Sequence, residues 1–348
     1  MLTYQEVIDS LNKKKRTKHL LLGNGFSMSY DKKIFSYNAL SDFVTKTKDK
    51  LLHKLFGIIE TANFETVMRE LDLFRKLASE FSDDKKLVRK INKARDSLKK
   101  NMLDAITELH PENVFKIPEK SSRKCAEFLR IYLDSNGHVF STNYDLLLYW
   151  VLMRNQNQIA NIVDGFGKEY IPKDADEYDL NYEPEFGGLE WGPNQANQHV
   201  HYVHGALHIF DEGISIIKEI YDEGYLLENI KKRIDNKEYP VFVTAGDGKQ
   251  KLAHILHNQY LDYCYKTLTS ITGSLVVFGF GFGKYDEHII EAINKAAKGQ
   301  KGDKFDKLWS VYIGVYSKDD EIHINSVLRK FKCKKVHLFD SKTAEIWK

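Results

Sequence analysis

Leu20-Leu21-Leu22 is apolar at every position, and the run stops at Gly23-Asn24-Gly25. A strand with no polar alternation is buried on both faces, as in a parallel sheet flanked by helices. Segments of the same kind recur at 18–22, 138–141, 199–203, 241–244, 275–278, 309–315 and 336–339, most of them ended by glycine or small polar residues. Between several of them the apolar period lengthens. Cys125, Phe128, Leu129, Tyr132 and Leu133 form a helical stripe before one strand. Ile289, Ile290, Ile293 and Ala297 form another after Gly279, and Ile324, Val327, Leu328 and Phe331 link the last two strands. Strands alternating with helices predict an α/β fold with a Rossmann-like, doubly wound and mostly parallel sheet.

Residues 46–118 show no strand pattern. Phe64, Val67, Met68 and Leu71, and then Leu98, Met102, Ile106 and Leu109, read as helical stripes. This predicts an all-helical insertion at 46–118 within a Rossmann-like domain made of 1–45 and 119–348. Residues 165–197 are rich in Gly, Pro, Asp and aromatics, as in Glu185-Phe186-Gly187-Gly188-Leu189-Glu190-Trp191-Gly192. A loop of that length in a compact domain is expected to cover a site. Tyr4, Val7, Ile8 and Leu11 give an amphipathic first helix without the apolar core of a secretory signal. No stretch approaches the ~18 apolar residues of a membrane span, so none is expected.

A chain of 348 residues can bury a large core, as two domains or as one α/β domain with an insertion. With 42% apolar and 29% charged residues it is a folded chain rather than a disordered one. A net charge of only +3 argues against nucleic acid as the main partner. The basic runs Lys13-Lys14-Lys15-Arg16 and 85–100 read as solvated helix faces. Cys125, Cys264 and Cys333 are scattered and unpaired by motif, which excludes a disulfide framework and a zinc ribbon and fits the cytoplasm.

The strand ends carry the chemistry. Gly23-Asn24-Gly25-Phe26-Ser27, Ser141-Thr142-Asn143-Tyr144-Asp145, His201-Tyr202-Val203-His204-Gly205 and Gly279-Phe280-Gly281-Phe282-Gly283, with Asp286 beyond, each follow a buried strand. In an open α/β sheet, ligands bind outside the carboxyl ends of the strands, so these segments should share one crevice. Paired glycines at a strand end suit a phosphate, or simply a tight turn. Met28 stands where a dehydrogenase fingerprint needs its third glycine, and Gly283-Lys284 leads to Tyr285 rather than the Ser or Thr of a P-loop. The hydride-transfer reading therefore loses ground, and a typical P-loop is excluded.

The order of these segments resembles that of sirtuin-like proteins, whose Gly-Ala-Gly-x-Ser loop, Thr-Gln-Asn-Ile-Asp segment and His-Gly pair correspond to Gly23–Ser27, Ser141–Asp145 and His204-Gly205. Without a zinc ribbon and with added helices, the chain is most similar to the zinc-less bacterial NAD-consuming effectors of anti-phage defence. The resemblance implies an NAD glycohydrolase that releases nicotinamide and ADP-ribose, with NAD as substrate and no metal. It places Gly23, Asn24, Gly25, Phe26, Ser27 and Thr142 in the NAD-binding segments, with Gly23, Gly25 and Ser27 at the pyrophosphate. By the same resemblance Asn143 orients a water or the nicotinamide ribose and Asp145 holds the carboxamide. His204 is then the general base, Gly279 and Gly281 lie along the adenine-side ribose, and Asp286 meets ribose hydroxyls. It further implies a gated effector, a homo-oligomer, and a partner ATPase or phage-derived trigger. Nicotinamide leaves as a neutral group, so the chemistry needs no acid for the leaving group, unlike ordinary glycoside hydrolysis, and a histidine can act near neutrality.

Other readings stay open at this level. Asn143 and Asp145 could cap the helix that follows, and His204 could be a satisfied core histidine. His199, His201, His204 and His208 could suggest a metal, but strand alternation puts 201 and 204 on opposite faces with no acidic or Cys ligand in register. His254 and His257 read as a solvated helix face, and Phe280 and Phe282 as core. A module that senses NAD or ADP-ribose without cleaving it, or a protein deacylase, is the alternative function.

Overall fold

The computed structural model describes residues 1–35, 49–61, 64–111, 113–171, 185–219, 225–243, 246–299 and 307–348. Its strands are β1 (Leu2–Thr3), β2 (Lys18–Leu22), β3 (Val139–Ser141), β4 (Phe166–Ile171), β5 (Glu185–Trp191), β6 (Val200–Tyr202), β7 (Gly205–Asp211), β8 (Ile216–Lys218), β9 (Pro240–Phe242), β10 (Gly273–Phe278), β11 (Leu308–Val315) and β12 (Val336–Asp340).

A 7-stranded sheet runs in the order β1-β12-β11-β10-β2-β3-β6, and every pairing in it is parallel. Leu20, Leu21 and Leu22 are fully buried in its middle, as an apolar run between two layers of helix requires. The Glu119–Leu133 helix packs on β2 and β3, the Gln259–Ser270 helix on β6, and the Glu287–Lys298 helix on β11. The doubly wound α/β fold expected from the pattern is the fold observed. From β2 the chain moves outward through β3 to β6, then returns to β10 on the other side of β2 and proceeds to β12. The switch in direction falls between β2 and β10, and their carboxyl ends are the two Gly-rich segments.

A second sheet departs from the pattern-based expectation. It has 5 strands in the order β4-β5-β8-β7-β9, and its pairings are antiparallel. Val241 and Phe242, expected in the parallel sheet, belong to β9 of this one, and Thr244 lies outside the described residues. A short apolar strand buried on both sides looks the same whichever direction its neighbours run. In the segment expected as a loop at 165–197, of which 172–184 lie outside the described residues, β4 and β5 are strands. Their sequences, Phe-Gly-Lys-Glu-Tyr-Ile and Glu-Phe-Gly-Gly-Leu-Glu-Trp, contain no apolar run, so their pairing is decided by partners distant in the chain. After β6 the chain returns to this sheet at Gly205, where φ is +80° and a Cβ would lie 1.8 Å from the Val241 carbonyl oxygen. Only glycine fits such a position.

Between β2 and β3 the described residues contain helices and no strand: Lys50–Ile59, Phe64–Phe81 and Lys85–Leu109 carry the segment expected to be helical. Val67, Met68, Leu71 and Leu98 are buried in the same hydrophobic core as the sheet. The expected boundary near residue 45, and the side chains of Phe64, Met102, Ile106 and Leu109, lie outside the described residues. No helix among the described residues is long and apolar enough to cross a membrane.

Candidate functional site

The two Gly-rich segments meet at the switch point. Gly23 N–H donates to the Phe278 carbonyl oxygen at 3.0 Å and Gly25 N–H to that of Gly279 at 2.8 Å. A Cβ on residue 25 would stand 2.5 Å from Gly279 Cα, and Gly279 itself has φ +69°. Glycine is therefore required here for backbone to meet backbone, and the amides of Gly23 and Gly25 are engaged in closing the two loops. Gly281 faces open space and has no such constraint. Phe26 is core, tilted against Trp347 at 5.1 Å between ring centroids. Asn24 is half-buried, and Thr142 donates its hydroxyl to the Leu22 carbonyl oxygen at 3.1 Å. Phe280 and Phe282 are buried against each other, in keeping with the core reading.

Ser27, in the Asn24–Tyr30 helix that follows β2, joins that helix to the segment after β3. Its hydroxyl donates to Asp145 Oδ2 at 2.5 Å and accepts from Asn143 Nδ2 at 2.9 Å. All three side chains are buried. Asp145 Oδ1 accepts from Leu147 N–H at 2.9 Å, so the carboxylate also holds the first turn of the Leu147–Arg154 helix. Burial raises the Asp145 pKa, against the hydrogen bonds from Ser27 and Leu147, which lower it. With one Nδ2 hydrogen donated to Ser27, the Asn143 amide is held in place and offers a ligand its carbonyl oxygen and its second N–H.

His204 lies in the turn between β6 and β7, beyond the carboxyl end of β6. Its backbone carbonyl accepts from Val243 N–H at 3.0 Å, and its ring Nε2 lies 2.8 Å from Nε2 of His288. His288 begins the Glu287–Lys298 helix after β10, so the contact joins elements that β2 and β3 separate in the sheet. Burial drives the His204 pKa well below the usual imidazole range, helped by His288 and the Lys251 ammonium. His288 is pushed down to about 3 by burial and Lys251. Lys251, itself buried, donates to Asp286 Oδ1 at 3.0 Å. Ligand atoms of His204, Asp286 and His288 all lie within 4.8 Å of one another, a grouping that can hold a metal ion. The Lys251 ammonium already supplies the positive charge beside this carboxylate.

His288 and Lys251 are the residues that sequence reasoning missed. The partners of His204 come from helices more than 40 positions away, and His204 itself lies in the turn beyond β6, so strand alternation does not relate it to His201. The legible signal was Asp286-Glu287-His288, polar residues directly after a Gly-rich strand end. His254 and His257 are exposed, as the helix pattern suggested.

A family model described as "Domain of unknown function (DUF4917)" matches residues 20–347. Comparison with the curated proteins found no match.

Proposed function

The chain belongs to the DUF4917 family, and from its site alone we propose that it is an NAD glycohydrolase, releasing nicotinamide and ADP-ribose. The observation that carries this reading is the buried Asn143–Ser27–Asp145 chain of hydrogen bonds at the switch point of a Rossmann-like sheet. That is where such sheets bind nucleotides. A side-chain amide held by its own donor group is suited to orient a water or a ribose hydroxyl through its oxygen.

The bond to be broken joins C1′ of the ribose to a cationic pyridinium. Nicotinamide takes the bonding pair and leaves neutral, the ribose passes through an oxocarbenium-like state, and a water oriented by Asn143 closes on C1′ before losing its proton. The rate gain comes from position and exclusion of bulk water rather than from an acid. His204 adds a neutral imidazole at the same rim. A base role for it requires Nε2 to part from His288. Such an enzyme would consume a central cofactor, which suits a gated effector in bacterial anti-phage defence, assembled as an oligomer or with a partner protein.

Incubation with NAD followed by mass analysis, beside Asn143→Ala, tests the reading. Nicotinamide and ADP-ribose from the wild type and little from the variant are expected; equal turnover by both defeats the assignment. A sensing module that binds NAD or ADP-ribose without cleavage is the second reading. It is favoured by the engaged amides of Gly23 and Gly25 and by an Asp145 carboxylate with both oxygens bonded inside the protein. Calorimetric binding without nicotinamide release would select it.

A further inference from the structure

We propose that His288 sets the tautomer of His204, so that His204 meets a ligand at the rim as a neutral hydrogen-bond donor through Nδ1. The inference rests on the NAD reading only for the identity of that ligand. Two Nε2 atoms 2.8 Å apart share one hydrogen: one ring donates it and the other accepts. The far nitrogen of His288 makes the choice. Its Nδ1 is buried and has no hydrogen-bond partner among the described residues. A buried N–H without an acceptor is rare in folded proteins, and a bare acceptor lone pair is the cheaper defect. The hydrogen of His288 therefore sits on Nε2 and is donated to Nε2 of His204. His204 keeps its own hydrogen on Nδ1.

The pair is built to stay in this arrangement. Tyr265 donates its hydroxyl to the His288 carbonyl oxygen at 3.0 Å, and Val243 N–H holds the His204 carbonyl at 3.0 Å. The rings lie 5.1 Å apart between centroids at an interplanar angle of 29°. Lys251, from the Gly248–His257 helix, and Asp286, before the Glu287–Lys298 helix, are the charged groups beside the pair, and they are bonded to each other. Glu287 is turned to Lys330 instead. An ammonium so close disfavours a second proton on either ring, leaving both neutral. Neutral imidazole as a donor is an established way to polarise a ligand oxygen, and the ligand atom it would take is a carboxamide or phosphate oxygen. A divalent cation between the rings would need both Nε2 lone pairs. It would force a hydrogen onto the buried His288 Nδ1 and would face Lys251.

Long-range 1H–15N correlation spectra of the full chain, labelled with 15N-histidine and assigned through H204Q and H288Q, read the tautomers directly at pH 7. The expected result is His204 protonated at Nδ1 alone and His288 at Nε2 alone, with no change on adding EDTA. Protonation of His204 at Nε2, of either ring at both nitrogens, or a spectrum that moves with EDTA overturns the proposal. Activity supplies the second arm. Gln at 288 can still donate an N–H to His204 Nε2, whereas Glu accepts and draws the His204 hydrogen to Nε2. At matched melting temperatures, H288Q should keep nicotinamide release within about 3-fold and H288E should lose about 10-fold or more. Equal losses in the two variants would reduce His288 to packing. A wild-type chain that releases no nicotinamide would sink the NAD reading, and the spectra would still decide the tautomer.

Discussion

The parallel sheet has histidines at both of its ends, and they are held in different ways. Toward the amino ends of β2, β3 and β6 lie His19, His138, His199 and His201. His19 Nδ1 accepts from His138 N–H at 3.0 Å while its Nε2 lies 2.8 Å from the Thr272 carbonyl oxygen. His199 Nδ1 is 2.9 Å from the Gly137 carbonyl oxygen, and His201 lies between His138 and Gln198, at 3.0 and 3.3 Å. The rings of His19, His138 and His199 are stacked. Both ring nitrogens of His19 and of His201 are thus satisfied inside the protein. At the carboxyl end, His204 meets His288, whose second nitrogen is buried and without a partner among the described residues. Burial and residue type are shared by His19 and His201 at one end and His204 and His288 at the other. Between these two ends, the difference is whether the protein completes its own hydrogen bonds.

The largest expected effect is on the carboxyl end itself. Gly279→Ala puts a Cβ 2.5 Å from Phe26 N at φ +69°, and should cost about 3 kcal/mol or more of stability in urea unfolding. A loss below about 1 kcal/mol would mean that the Gly25–Gly279 contact is loose enough to open for a ligand. Asn143→Ala follows, with nicotinamide release expected to fall by about 10²-fold while the circular dichroism spectrum is kept. The amino end should behave oppositely. His19→Leu leaves His138 N–H and the Thr272 carbonyl oxygen without partners, and is expected to cost about 1–3 kcal/mol, with turnover per folded molecule unchanged. A catalytic defect in that variant would erase the distinction between the two ends.

Acid provides the mildest test. Burial, with His138 beside it, pushes His19 down to about 3, and burial pushes His110 down to about 4. Below pH ~6.5 the unfolded chain binds protons at these rings and the folded chain does not, so stability falls as pH falls, by roughly 1.4 kcal/mol per unit for each ring. The loss ends where the folded ring itself protonates. His19→Leu should make the decline between pH 6.5 and about 4 shallower by one such group. Identical slopes for variant and wild type would show that His19 takes no part in it.

Much of the scaffold could be read locally. The leucine run of β2, the helical stripe ending at Leu133 and the stripe starting at Ile289 each declare their own period, and each forms the expected element. The candidate site was legible only as a set of strand ends. That Asn143 donates to Ser27, 116 positions away, follows from β2 and β3 being neighbours, which fixes the segments after both on one rim. The second sheet was not legible, because β4 and β5 lack an apolar run and exist through their pairing.

Apolar period and strand-end glycines, both properties of a few neighbouring residues, determined from the sequence that this chain folds as helices around a buried parallel sheet. Tertiary structure alone decided that β9 runs in another sheet, that Gly25 abuts Gly279, and that His204 faces His288 with Lys251 and Asp286 behind. Those are contacts between segments far apart in the chain, and a contact of that kind is set by which surfaces the whole fold brings together rather than by the residues on either side of it.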